Sequence, residues 1–107
     1  MKFNIELDDL SEAAVRSVLR YTSNQNMLKT FMQSSHRKYK VALAQNRHTT
    51  RAMRQELVKS DIYDVKLELA RNPITEKEIL EVLEKDQSRY IANKARQNKL
   101  SRFHDLS

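Results

Sequence analysis

Asn46, Asn72 and Asn98 stand 26 residues apart, and each closes a similar phrase, as in Val41-Ala42-Leu43-Ala44-Gln45-Asn46 and Leu67-Glu68-Leu69-Ala70-Arg71-Asn72. Laying residues 35–60 over 61–86 without a gap pairs Lys40 with Lys66, Leu43 with Leu69, Ala44 with Ala70 and Asn46 with Asn72. It also pairs Thr49 with Thr75, Leu57 with Leu83 and Lys59 with Lys85. Those seven identities compare with roughly one or two for unrelated segments of ordinary composition. A unit this short cannot bury its apolar face alone, so copies stack and cover one another. Arrays of this kind commonly present a binding surface in place of a catalytic pocket.

Glycine is absent and Pro73 is the only proline. An all-β chain needs residues tolerant of positive φ at its hairpin turns, which favours helices here. The spaced asparagines are expected to stand in for glycine in the left-handed conformation that ends many helices. Ser23, Thr49, Thr75 and Ser101 follow at one phase and read as N-caps, Thr75 with Glu78 forming a capping box. The reading is all-α: helices near 11–21, 36–46, 62–71 and 88–98 alternate with helices near 24–33, 50–59 and 76–85. The expected fold is a short α-solenoid of about three to four helix pairs with a 26-residue period.

Apolar columns support this assignment. Met27, Met53 and Ile79 lie four residues before Phe31, Leu57 and Leu83, so each pair shares one helix face. In the other series Tyr39, Val65 and Ile91 precede Leu43, Leu69 and Ala95, with Val41 and Leu67 widening the stripe. One domain of 107 residues is expected, with repeats over 11–98 flanked by an N-terminal arm or cap (1–10) and a C-terminal cap (99–107). Phe3, Ile5 and Leu7 alternate like a short strand or extended arm, and Leu100 to Leu106 reads as the start of a further helix.

Cysteine is absent, which excludes disulfides and thiolate metal sites. No apolar run is long enough for a membrane span, and Met1 to Asp9 lacks the apolar core of a secretory signal. A soluble, cytoplasmic protein is expected.

Val65, Leu69-Ala70-Arg71-Asn72-Pro73, Thr75, Ile79-Leu80, Leu83 and Asp86, followed by Ile91 and Asn98, resemble the leucine-rich repeat variant family and, more loosely, HEAT-like helical repeats. That resemblance implies helix pairs, the second helix sometimes 3₁₀, stacked into a right-handed superhelix. The iron–sulfur module of some family members requires cysteines that this chain lacks.

Charge is the main functional clue. The net charge is +6, yet residues 13–55 hold nine Lys or Arg and no Asp or Glu, whereas residues 56–86 hold five basic and nine acidic residues. Stacked layers would place this segregation in space as a positive first half and an acidic third layer. Arg51 and Lys59, Lys77 and Lys85, and Lys29 share columns opposite the apolar ones, so they are expected to form a ladder on one outer face. Arg37, Lys38 and Arg47 extend it. These eight residues are the candidate partner-binding set.

Catalysis finds little support. His36, His48 and His104 share no column and show no metal-ligand spacing, and His36 aligns with Ile62 as a partly buried position. Glu76, Glu78, Glu81 and Glu84 read as solvated charge pairs with Lys77 and Lys85, not an acid/base dyad. No enzyme activity, cofactor, metal or small-molecule substrate is expected. Two readings stay open: a protein-interaction adaptor or small inhibitor that docks on a larger complex or acidic protein surface, and a module that binds DNA or RNA through phosphates without sequence preference.

Overall fold

The computed structural model describes the chain from Lys2 to Phe103, with side chains from Glu12 onward. It is all-helical, with seven helices and no strand among the described residues: α1 Lys2–Tyr21, α2 Gln25–Met32, α3 Arg37–Gln45, α4 Arg51–Leu57, α5 Tyr63–Arg71, α6 Lys77–Leu83 and α7 Arg89–Phe103. The odd-numbered helices α1, α3, α5 and α7 pack side by side in chain order, and the even-numbered helices pack on them. α2, α4 and α6 begin at residues 25, 51 and 77, and α3, α5 and α7 begin at 37, 63 and 89.

Both chain ends differ from the sequence expectation. Residues 3–7 belong to α1 and are helical, not strand-like; helical bonding satisfies each backbone group locally, without a neighbouring strand. Residues 100–103 continue α7 without a break; the rest of the expected cap lies outside the described residues.

The asparagines do not play glycine's part. Asn46 and Asn72 have φ of −71° with extended ψ, and no described residue has positive φ. Their side chains reach across to the preceding layer. Asn72 Nδ2 donates to Ala44 O at 3.0 Å and Asn46 O at 2.9 Å, and Asn98 Nδ2 donates to Ala70 O at 2.9 Å and Asn72 O at 3.0 Å. Asn46 Nδ2 does the same to Leu19 O and Thr22 O. Each side chain satisfies two carbonyls at a neighbouring helix end, groups the helix itself leaves without partners. Asn46 and Asn72 are buried, and Asn72 O also accepts Thr75 N at 3.1 Å.

Helix starts also sit one residue later than expected. Asn24 Oδ1 accepts from Met27 N at 3.0 Å and Thr50 Oγ1 from Met53 N at 3.2 Å; Glu76 is the N-cap of α6 but makes no side-chain cap bond. The Thr75–Glu78 capping box is therefore not formed. Thr49 and Thr75 are buried instead, where Thr75 Oγ1 donates to Leu69 O at 2.8 Å and Thr49 Oγ1 accepts from Arg54 Nη1 at 3.0 Å. Ser101 lies inside α7, its hydroxyl donating to Asn98 O.

The core contains the expected columns Met53/Ile79, Leu57/Leu83, Val65/Ile91 and Leu43/Leu69/Ala95, with Met27, Phe31, Tyr39, Val41 and Leu67 half-buried at its margin. It also contains a column that the apolar pattern hides. Leu28, Arg54 and Leu80 stand 26 residues apart and all are buried. Arg54 is accommodated because its guanidinium forms a fork to Glu76, at 2.9 and 2.6 Å, and donates to both Oγ1 and O of Thr49. A planar guanidinium can fill five donor positions in this way.

Candidate macromolecule-binding face

The groove along the odd-numbered helices begins at the N-terminus of α3. His36 is exposed, not partly buried as its alignment with Ile62 suggested. It caps α3 by accepting Lys38 N at its Nδ1 and stacks on Tyr39 at 4.3 Å, which fixes Arg37 and Lys38 in the first turn. There Arg37 lies 3.6 Å from Asp64 and Lys38 lies 2.9 Å from Glu12. The Lys38 hydrogen bond holds the Glu12 carboxyl below its ordinary value.

Four depressions run along this side. One of about 290 Å³ is lined by Arg16, Arg20, Arg37, Lys38 and Asp64 with α3 side chains. A second, of about 400 Å³, is lined by Arg20, Tyr21, Gln45, Arg47 and His48 and includes no carboxylate. A third, of about 200 Å³, is formed by Gln45, Arg47, Glu68, Arg71, Asn72 and Pro73. Gln45 borders these three and receives the Arg20 Nε hydrogen bond at 3.0 Å; the fourth, of about 490 Å³, adjoins at Arg71 and Pro73, takes in Lys94 and Arg102, and includes no carboxylate. Arg16 Nε is buried without a hydrogen-bond partner.

The expected basic set is thus divided. Arg37, Lys38 and Arg47 line the groove, joined by Arg16, Arg20 and Arg71, which the sequence reading did not single out. Lys29, Arg51, Lys59, Lys77 and Lys85 are exposed on or beside the even-numbered helices. Acids stand among them: Arg51 is 3.7 Å from Glu78, and Lys59 is 3.7 Å from Glu56. Arg16 and Arg20 escaped notice because α1 is out of phase with the 26-residue frame. Its link to α2 is residues 22–24, whereas residues 46–50 and 72–76 link the later pairs.

The acidic third layer does not stand apart as a negative block. Asp64, Glu76 and Glu78 reach back to Arg37, Arg54 and Arg51, while Glu81 and Glu84 pair forward with Lys99 at 3.6 and 3.1 Å. The four glutamates are therefore interlayer partners and not local pairs with Lys77 and Lys85. The hydrogen bond from Arg54 outweighs partial burial and holds the Glu76 carboxyl below its ordinary value. Burial works to raise Asp86, but Lys66 at 2.7 Å and the Ser88 N–H together hold it low.

Among the described residues no group of three His, Cys, Asp or Glu side chains is placed to hold a metal ion, and no helix is long and apolar enough to cross a membrane. His104 lies outside the described residues. No family model matches the chain, and neither a curated protein nor a solved structure shows significant similarity to it.

Proposed function

We propose that the chain is a short right-handed α-solenoid of three to four helix pairs with a 26-residue period, and that it acts as a non-enzymatic module that takes a protein partner in the groove of the odd-numbered helices. The spacing of helix starts, the matching bonds of Asn72 and Asn98, and the likeness of residues 65–98 to leucine-rich repeat variant and HEAT-like repeats support the architecture. The absence of cysteine fits a cytoplasmic setting.

One observation carries the choice of partner: the groove's charges come in both signs, as the pairs Arg37–Asp64, Lys38–Glu12 and Arg71–Glu68. Exposed pairs of this kind hold together weakly, so a protein surface of mixed charge exchanges partners with them at little cost and gains specificity. A phosphodiester backbone lying there would meet the carboxylates of Asp64 and Glu68. An adaptor or small inhibitor docking on a larger complex is the role that follows.

A second reading, nucleic-acid binding without sequence preference, is favoured by the corner of Arg20, Arg47 and His48, which has no carboxylate. Titration of the protein into generic duplex and single-stranded DNA at two salt concentrations separates the two. The protein reading expects no binding at either salt. Binding that weakens with salt, by a log–log slope of about 0.9 per phosphate contact on duplex DNA, would overturn it in favour of the second.

A further inference from the structure

Three of the depressions lie at the C-terminal ends of the odd-numbered helices, one to each junction between neighbours. Gln45, Arg47 and Glu68 line the one between α3 and α5, and their counterparts 26 positions on, Arg71, Pro73 and Lys94, line the one between α5 and α7. Tyr21 and Gln45 stand 26 positions before Arg47 and Arg71 and line the one between α1 and α3. The charges in these equivalent places differ. The first depression holds Arg20 and Arg47 and the last holds Arg71, Lys94 and Arg102, with no carboxylate lining either. The middle one holds Glu68, half-buried and 3.9 Å from Arg71. Glu68 and Lys94 thus fill one position with opposite signs. Neutral partners hold the outer cations: Arg20 Nε donates to Gln45 at 3.0 Å, Lys94 lies over the Tyr90 ring at 5.3 Å, and Arg102 Nη1 donates to Asn98 Oδ1 at 3.0 Å. Among the described residues none of the three pairs with a carboxylate.

We propose that an extended acidic segment of the protein partner crosses these three junctions, with carboxylates in the first and last depressions and a neutral residue in the middle one. This rests on the protein-partner reading above and adds the chemistry of the segment that is bound. Charge complementarity selects the occupant. A guanidinium offers a planar fork that takes a carboxylate with two hydrogen bonds, and a site lined by one sign of charge draws the opposite sign. Packed helices stand about 8–10 Å apart, so depressions two junctions apart are separated by about 16–20 Å. An extended chain advances about 3.3 Å per residue and covers that span in about five or six residues. A peptide can leave its charge out at Glu68. A phosphodiester backbone carries a charge at every nucleotide and must set one against that carboxylate.

Fluorescence anisotropy of the full chain at low salt tests this with two labelled peptides of one composition, Asp-Asp-Ser-Ser-Ser-Ser-Asp-Asp and Ser-Ser-Asp-Asp-Asp-Asp-Ser-Ser. The first should bind about tenfold tighter, the equivalent of one charged hydrogen bond. Arg47→Glu and Lys94→Glu should each remove that preference, whereas Lys59→Glu, the same change of charge on the exposed side of the α4 region, should leave it. Glu68→Gln should bring the second peptide towards the affinity of the first. The circular-dichroism signal of each variant should match the parent, and the comparison of the two peptides needs no variant at all. Equal affinity for both peptides, binding of neither, or a preference lost equally with Lys59→Glu overturns the acidic segment and leaves the protein-partner reading in place. Salt-dependent binding of generic DNA in the titration above overturns that reading, whatever the peptides do.

Discussion

The α3–α4 and α5–α6 pairs have helices of equal length, nine residues and then seven, and each first helix ends at an asparagine that donates to the layer before it. They differ in how they fill one column. Arg54 occupies in α4 the place that Leu80 occupies in α6, and both are buried. The N-caps differ in step: Thr50 caps its own helix, whereas Glu76 makes no side-chain cap bond and spends its carboxylate on Arg54. The backbone frame, tied by the asparagines, thus accepts either an aliphatic or an ionic filling. The ionic choice demands a matching change in the next layer.

Truncating the shared core is expected to have the largest effect and to be blind to this difference. Leu43→Ala and Leu69→Ala remove equivalent, fully buried side chains, so each should cost about 2–5 kcal/mol. Denaturant midpoints that moved for one and not the other would break the equivalence of the two pairs. Asn72→Ala comes next: it leaves Ala44 O and Asn46 O without donors, a loss of about 1–3 kcal/mol. A midpoint unchanged from the parent would mean that water replaces the amide and the interlayer bonds are dispensable.

Arg54→Leu sharpens the comparison by giving α4 the filling of α6. At neutral pH it should cost about 1–2 kcal/mol through the lost charged hydrogen bonds, less than core truncation because Glu76 retains some access to water. The Glu76 carboxyl is held below its ordinary 4.5 in the folded chain. Its contribution is therefore present above that value and is lost as pH falls through the lower folded one. The parent should lose stability faster than Arg54→Leu below about pH 4.5, narrowing the gap between them. Denaturation at pH 7 and pH 3 checks this, and an equal gap at both would show that Arg54 acts through packing alone.

The helices and their core faces were legible because they rest on local periodicity. Leu43, Leu69, Leu57 and Leu83 recur at helical spacing and are buried. What the asparagines do was not legible. Their residue type signals a helix end, but the carbonyls they bind lie in another layer, and local reasoning supplied a left-handed turn instead. Thr49 and Thr75 were misread for a related reason, since a threonine before a helix looks like a cap whether it points to the first turn or into the core. Arg54 was only counted among the basic residues of 13–55, because its partner is visible only once Glu76 is brought alongside. The groove was half legible: Arg37, Lys38 and Arg47 came from their place near helix starts and turns, whereas Arg16 and Arg20 entered only the charge count of 13–55, since α1 precedes the repeated columns.

Each bridging asparagine also lends its own main-chain oxygen to the next, from Asn46 to Asn72 to Asn98. Asn72 O takes Thr75 N at 3.1 Å as well as the Asn98 amide, and Asn98 O takes the Ser101 hydroxyl. A carbonyl oxygen has two lone pairs, so the links run head to tail like couplings in a train: the Asn72 amide holds the oxygen of Asn46 while the main-chain oxygen of Asn72 is held by the amide of Asn98.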